Sequence, residues 1–258
     1  MSWLITPQQK NKGLLDTFTG AAAAYSLRDL TFLRGGPVIR VRRSSDSTEQ
    51  DFTATQVTDG TLAAFYGAGT GFIRTWYDQS GNGFHAQQAT TAAQPQIVLS
   101  DTNSKPTISF DGSNDLLLAS TALYNQLTVF GVQRFRSTGS KIAFGYGDYR
   151  ADMQIGLWQV QTGPVTIGSY TSNTNYALRV LSRESGNSKA FNNGVQSGST
   201  VTTALTQSTG TGLAFGNRVD LGVYTDVNFS ELVLYPSVAS DVTRAAIESN
   251  INTHYAIY

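Results

Sequence analysis

Pro106-Thr107-Ile108-Ser109-Phe110-Asp111-Gly112-Ser113-Asn114-Asp115-Leu116-Leu117-Leu118 is the stretch that decides the fold class. Ile108 and Phe110 alternate with the hydroxylated Thr107 and Ser109. Period two is the mark of a strand with one face toward a core. Asp111 to Asp115 then supplies turn-forming residues, and a second apolar run follows. A strand, a turn and a returning strand make an antiparallel pair.

The same grammar runs outward from there. Ile39 and Val41 alternate with Arg40 and Arg42. Strand-like runs recur at Leu127–Phe135, Ile142–Tyr146, Gln154–Val160, Val165–Tyr170, Ala177–Ser182, Ser188–Phe191, Gly212–Asn217 and Phe229–Tyr235. Asn193-Gly194 between two of these runs suits a type I′ hairpin, whose turn needs two positive φ values. Helical patterning is confined to the ends. Residues 8–18 and 21–30, rich in Leu and Ala and split at Gly20, predict two short helices. Ser240 reads as a helix cap with Asp241 in the first turn, and Ile247, Ile251 and Tyr255 form an apolar stripe. That stripe suits packing on a sheet. The expectation is all-β: an antiparallel β-sandwich (jelly roll) with short N-terminal and C-terminal helices. Residues 21–258 would form one domain, with 1–20 as an attachment arm.

Bulk composition narrows the function. The chain has 258 residues, 40% of them hydrophobic, enough for one sizeable core. Its 18 basic and 18 acidic residues cancel, which argues against a phosphate-tracking nucleic-acid groove. There are no cysteines, so disulfides and thiolate chemistry are excluded. With His85 and His254 as the two histidines, a multi-histidine zinc site is excluded too. No apolar run approaches the roughly 20 residues of a membrane span. The N-terminus lacks a basic, then apolar, leader, so synthesis in the cytoplasm is expected.

Arg74-Thr75-Trp76-Tyr77-Asp78-Gln79-Ser80-Gly81-Asn82-Gly83 sets aromatic rings beside fixed polar groups, as a sugar site does. The end plug of a sandwich uses the same chemistry. Asp78 to Gly83 also fits the first half of a calcium loop, but Ala89 stands where the bidentate Glu belongs. A hydrogen-bonded turn is the preferred reading, an isolated Ca²⁺ site the alternative, and no cofactor or metal is expected. Arg40, Arg42 and Arg43 precede Ser44-Ser45-Asp46. An internal network with Asp46, Asp78 or Asp51 is preferred over binding of an anion. Asp148, Asp152, Asp220, Asp226 and Glu231 are the carboxylates from which a glycosidase pair would be drawn.

Three segments together resemble the opening of the arabinofuranosidase B catalytic domain: Ala24-Tyr25-Ser26-Leu27-Arg28-Asp29-Leu30, Gly36-Pro37-Val38-Ile39-Arg40-Val41-Arg42-Arg43-Ser44-Ser45-Asp46, and Thr75 to Gly83. Pro106 to Asp115 and Phe229-Ser230-Glu231-Leu232-Val233-Leu234-Tyr235 resemble concanavalin A-like (laminin G-like) lectin and glucanase sandwiches. Similar sequences occur in bacteriophage virion proteins. The resemblance implies a nucleophilic Glu shortly after a Tyr-Gly turn. Laid on Tyr146-Gly147, that position is Arg150, which cannot attack an anomeric carbon. A shift of two residues would bring Asp148 or Asp152 there. The acid/base Asp of the family falls near Asp220, and Ile142 and Ala143 replace its paired cysteines.

The resulting expectation is a non-catalytic, lectin-like structural module of a phage tail, fibre or capsid that binds cell-surface carbohydrate. Trp76, Asp78, Asn82 and Asp220 would touch the ligand. Its partners would be the glycan, other virion proteins and further copies of itself. A structural spacer and an arabinofuranosidase-like hydrolase are the alternatives.

Overall fold

A computed structural model describes residues 12–32, 35–137, 142–146, 151–154, 157–161, 164–168, 174–203, 212–218 and 223–258. Their strands pair antiparallel throughout and stack as two layers. The first layer is centred on Asp226–Tyr235, which runs beside Leu127–Phe135 with Leu234 opposite Val129. Ala177–Arg183 and then Lys189–Asn192 extend it. On its other edge Asp226–Tyr235 changes partner. Its first half pairs with Thr107–Asp111 and its second with Ala23–Ser26. The register against Leu127–Phe135 shifts between Phe229 and Glu231, where that change occurs.

The second layer starts at Glu49–Phe52 and passes through Ile39–Arg43, Gly71–Trp76, Ala86–Gln87, Leu117–Ala119 and Leu213–Phe215 to Ile142–Tyr146. Ala151–Gln154, Leu157–Gln161 and Pro164–Gly168 continue it. Gln96–Val98 pairs with both Thr107–Asp111 and Gly71–Trp76, and so joins the layers along one edge.

The main core lies between the layers, where Phe229, Leu232 and Val129 of the first meet Trp76, Ile73, Val41 and Phe215 of the second. A second cluster covers the outer face of the first layer. There Phe130, Val132, Leu178, Val180 and Val233 pack under Leu14, Leu15, Ile247, Ile251 and Tyr255. Cover on both faces leaves every residue of Ala177–Arg183 buried, and every residue of Leu127–Phe135 but Arg134, even where Arg179, Ser182, Thr128 and Gln133 interrupt the apolar run. The C-terminal helix Asp241–Tyr255 begins where its cap predicts, with the Ser240 hydroxyl accepting from the Thr243 amide at 3.1 Å. The hairpin turn has both positive φ values, +51° at Asn193 and +78° at Gly194.

Several expectations are corrected. Ala21–Leu30 is not helical: Ala23–Ser26 is a strand buried on every residue. Alanine's helix propensity is a weak prior, and here the strand is held between the two apolar clusters, where small side chains permit close packing. Of the helix expected over 8–18, Leu14–Thr17 is present, and residues 1–11 lie outside the described residues. Leu14 and Leu15 are core, so this part of the expected arm belongs to the body. Gln154–Val160 is divided into Ala151–Gln154 and Leu157–Gln161. Two helices in the first half were not anticipated, Ala54–Thr58 and Thr61–Tyr66. The first carries a capping box, in which the Gln56 amide donates to the Thr53 hydroxyl and the Thr53 amide to the Gln56 side chain. No described helix is long and apolar enough to cross a membrane.

Candidate functional site

The residues expected to touch a ligand are used internally. Trp76 is fully buried, tilted against Tyr25 at 5.6 Å and Phe215 at 5.3 Å between ring centres. It offers no face to a sugar. Asp78 is buried and accepts four hydrogen bonds, from the amides of Ala24, Ser80 and Phe84 and the Ser80 hydroxyl. That use of both oxygens fits the turn reading of Asp78–Gly83. Among the described residues no group of three or more His, Asp or Glu is placed to hold a metal ion. Asn82 donates its side-chain amide to the Ala21 and Ala22 carbonyls, and Gln79 donates to the Ser26 and Arg28 carbonyls and accepts from the Leu30 amide. The segment is a clasp on residues 21–30. Asp220 and Arg150 lie outside the described residues, as does Asp148.

The strand arginines do not converge. Arg40 forms a two-pronged pair with Asp51, at 2.8 and 3.0 Å, and Arg43 one with Asp46, at 2.7 and 2.6 Å. Arg42 donates to the Gln94 side-chain oxygen Oε1 and lies over the Phe72 ring.

What the clasp holds in place is one wall of a cleft of about 480 Å³. Four segments distant in sequence meet there. Leu27, Arg28 and Asp29 follow the Ala23–Ser26 strand, and Ala54, Thr55 and Thr58 come from the capped helix. Ser104, Lys105 and Pro106 precede Thr107–Asp111, and His254 and Tyr255 end the C-terminal helix.

A buried network lies beneath it. Arg28 grips Glu231 with Nε and Nη2 at 2.8 and 2.9 Å and donates to Asn250 at 3.1 Å. The Ser26 hydroxyl donates to Glu231 at 2.8 Å, and the Tyr255 hydroxyl lies 3.2 Å from the same carboxylate. Burial pushes Glu231 up, but Arg28 and Ser26 outweigh it and hold the carboxyl below its ordinary value. Burial, with the charges of Arg28 and Lys105, pushes His254 down from 6.5 to about 4. Its imidazole is therefore neutral near pH 7 and offers both a donor and an acceptor.

Two cations, Arg28 and Lys105, face two carboxylates, Asp29 and Glu231, so the cleft and its floor are balanced in charge. Hydroxyls on Thr55, Thr58 and Ser104 add further polar groups, that of Thr58 as an acceptor because its proton goes to the Ala54 and Thr55 carbonyls. Leu27 and Pro106 supply apolar wall. Volume and lining fit a small polar molecule without net charge.

Comparison with solved structures places the fold. One match is an arabinofuranosidase complexed with arabinofuranosyl-alpha-1,2-xylobiose, at TM-score 0.71 and 17% identity, covering 95% of this chain and 64% of that one. Another is a GH54 a-l-arabinofuranosidase soaked with a cyclic sulfate inhibitor, at TM-score 0.68, 17% identity, and 95% and 65% coverage. A Trypanosoma rangeli sialidase matches at TM-score 0.50 and 14% identity, over 70% of this chain and 31% of that one. No protein-family model and no curated protein matches the chain. The chain thus spans just under two thirds of the arabinofuranosidase chains that share its fold.

These matches overturn the expectation of a non-enzyme, because the solved structures named here that share the fold are an arabinofuranosidase and a sialidase, at 14–17% identity. The reason for that expectation also loses its footing. Tyr146 ends a strand, but residues 147–150 lie outside the described residues, so nothing in the structure sets Arg150 in a nucleophile's place.

Sequence reasoning missed Thr55, Thr58, Lys105 and His254 as cleft residues. The capping box Thr53-x-x-Gln56 was a legible signal for the helix that brings the two threonines. Nothing local marks Lys105 or His254.

Proposed function

We propose that this chain is a carbohydrate-directed domain that holds an uncharged sugar unit in the cleft between Arg28 and His254. The observation that carries the reading is the cleft's balance. Arg28 and Lys105 are offset by Asp29 in the lining and by Glu231 beneath it, and a neutral imidazole and the hydroxyls of Thr55, Thr58 and Ser104 stand beside them. A neutral polyol satisfies such mixed donors and acceptors, whereas an anion would need an excess of cation. The glycosidase company kept by the fold supports the choice of sugar over other polyols. Titration calorimetry with neutral and acidic oligosaccharides tests it. Binding of a neutral sugar, weakened in Thr58→Ala and Lys105→Ala, is expected. Binding of acidic sugars alone would sink it.

The setting we propose is a phage virion, with the domain on a tail, fibre or capsid, self-associated and facing cell-surface glycan. The sequence resemblance to virion proteins supports this. Many copies would offset weak single sites. Mass spectrometry of purified particles decides it.

Hydrolysis of arabinofuranosides is a second reading, favoured by the arabinofuranosidase match over 95% of the chain. Release of nitrophenol from 4-nitrophenyl arabinofuranoside, lost in Asp220→Asn, is the expected result. No turnover at high protein concentration would end it.

A further inference from the structure

The cleft wall formed by residues 101–106 is strained and is fastened from outside. Asn103 and Ser104 both have left-handed backbones, at φ +57° and +56°. Asn tolerates that region, but a second non-glycine residue beside it is costly. The turn is closed by the Asp101 amide on the Lys105 carbonyl at 3.0 Å and the Ser104 amide on the Asp101 carbonyl at 3.0 Å. Its base is anchored through the Asp101 carboxylate, which accepts from Arg134 and Tyr176 at 3.1 Å each and from Asn228. Its tip is anchored by one side chain. The Asn103 amide donates to the Tyr255 and Ala256 carbonyls, both at 2.8 Å. Those carbonyls end the helix that supplies the opposite wall, with Ala256 itself left-handed at φ +51°.

We infer that Asn103 is the positioning residue of this cleft: it ties the strained 101–106 turn to the helix end, and so sets the distance between Ser104 and Lys105 on one wall and His254 and Tyr255 on the other. The inference deepens the sugar reading of the same cleft, and rests on it only for the nature of the ligand. Asn103 itself does not line the cleft; it acts through the two walls it joins. The tie also satisfies two carbonyls that a helix end otherwise leaves to solvent. An unfastened turn would relax its strain by swinging outward, taking Lys105 away from His254 and admitting water beside the imidazole.

Two variants test this. Asn103→Gly keeps a backbone at ease with positive φ and deletes only the tie. Asn103→Asp keeps the side-chain shape but turns a carboxylate on two carbonyl oxygens. NMR titration of His254 is the readout independent of ligand. The groups that face this imidazole are Arg28, Lys105 and Glu231, and its depressed titration stems from burial, Arg28 and Lys105. In both variants the midpoint is expected to rise toward 6.5 while thermal unfolding stays cooperative. An unchanged midpoint in Asn103→Gly would overturn the inference, because the new carboxylate of Asn103→Asp raises a nearby imidazole by its charge alone. The second readout is affinity for 4-nitrophenyl arabinofuranoside, expected to weaken roughly tenfold in Asn103→Gly, because binding must then order the two walls that the tie held in place. Unchanged affinity with a raised midpoint would uphold the tie and place sugar binding outside this cleft, whereas both unchanged would overturn the inference. A raised His254 midpoint with no probe binding even in the wild type would uphold the tie and discard the sugar reading.

Discussion

Arg28 and Glu231, 203 residues apart, meet through two parallel hydrogen bonds of 2.8 and 2.9 Å. The carboxylate is 1% exposed and the guanidinium 17%. The pair joins the loop that leaves the Ala23–Ser26 strand to the centre of Asp226–Tyr235, and so makes a rigid floor for the cleft.

Breaking that pair from the cationic side is expected to cost most. Arg28→Met leaves a buried carboxylate without its counter-charge, a loss on the order of 3–5 kcal/mol. Urea denaturation would measure it. A loss under about 1 kcal/mol, the range of exposed pairs, would contradict the described burial.

Trp76→Ala is expected to destabilise by about 3–5 kcal/mol, because the indole fills the core between Tyr25 and Phe215. A variant that folds with wild-type stability and loses sugar binding would restore Trp76 as a ligand contact.

Asp78→Ala removes the acceptor of four hydrogen bonds and leaves three backbone amides without it. Loss of more than about 2 kcal/mol is expected. Adding or chelating calcium should leave the thermal midpoint of the wild type unchanged. A calcium-dependent midpoint would show that the turn holds an ion.

His254 makes stability depend on pH. Its folded value, about 4, lies below the ordinary 6.5. Above 6.5 both folded and unfolded chains carry it neutral, and its contribution is whole. As pH falls from 6.5 toward 4, the unfolded chain takes up a proton that the folded chain refuses, and stability declines. Glu248, pushed up to about 6 chiefly by burial, acts in the opposite sense over part of the same window. The difference between wild type and His254→Gln isolates the imidazole. Denaturation midpoints at pH 7 and pH 4.5 should converge more closely in the variant, and an identical pH trend in both proteins would count against the burial of His254.

Strand and helix type were legible wherever the pattern was local. Leu127–Phe135 and Ile142–Tyr146 stand at the bounds their runs suggest, and Ser240 starts the helix its hydroxyl announces. Ala23–Ser26 was misread because the four alanines at 21–24 look helical until two apolar clusters close around them. The expected contact segment was misplaced because its polar groups serve the chain itself: Asp78 and Asn82 bond the backbone of residues 21–24, 80 and 84. In a strand neighbouring side chains point to opposite faces, so Trp76 turns into the core while the next ring, Tyr77, stays half-buried against His85 and donates to Asp51.

The amino-acid order by itself determined an antiparallel β architecture with a capped C-terminal helix, since alternation and capping are properties of a few consecutive residues. Tertiary structure alone decided the cleft. Its walls come from residues 27–29, 54–58, 104–106 and 254–255. Strand pairing and burial, acting over the whole chain, bring these together, and no short stretch encodes that meeting.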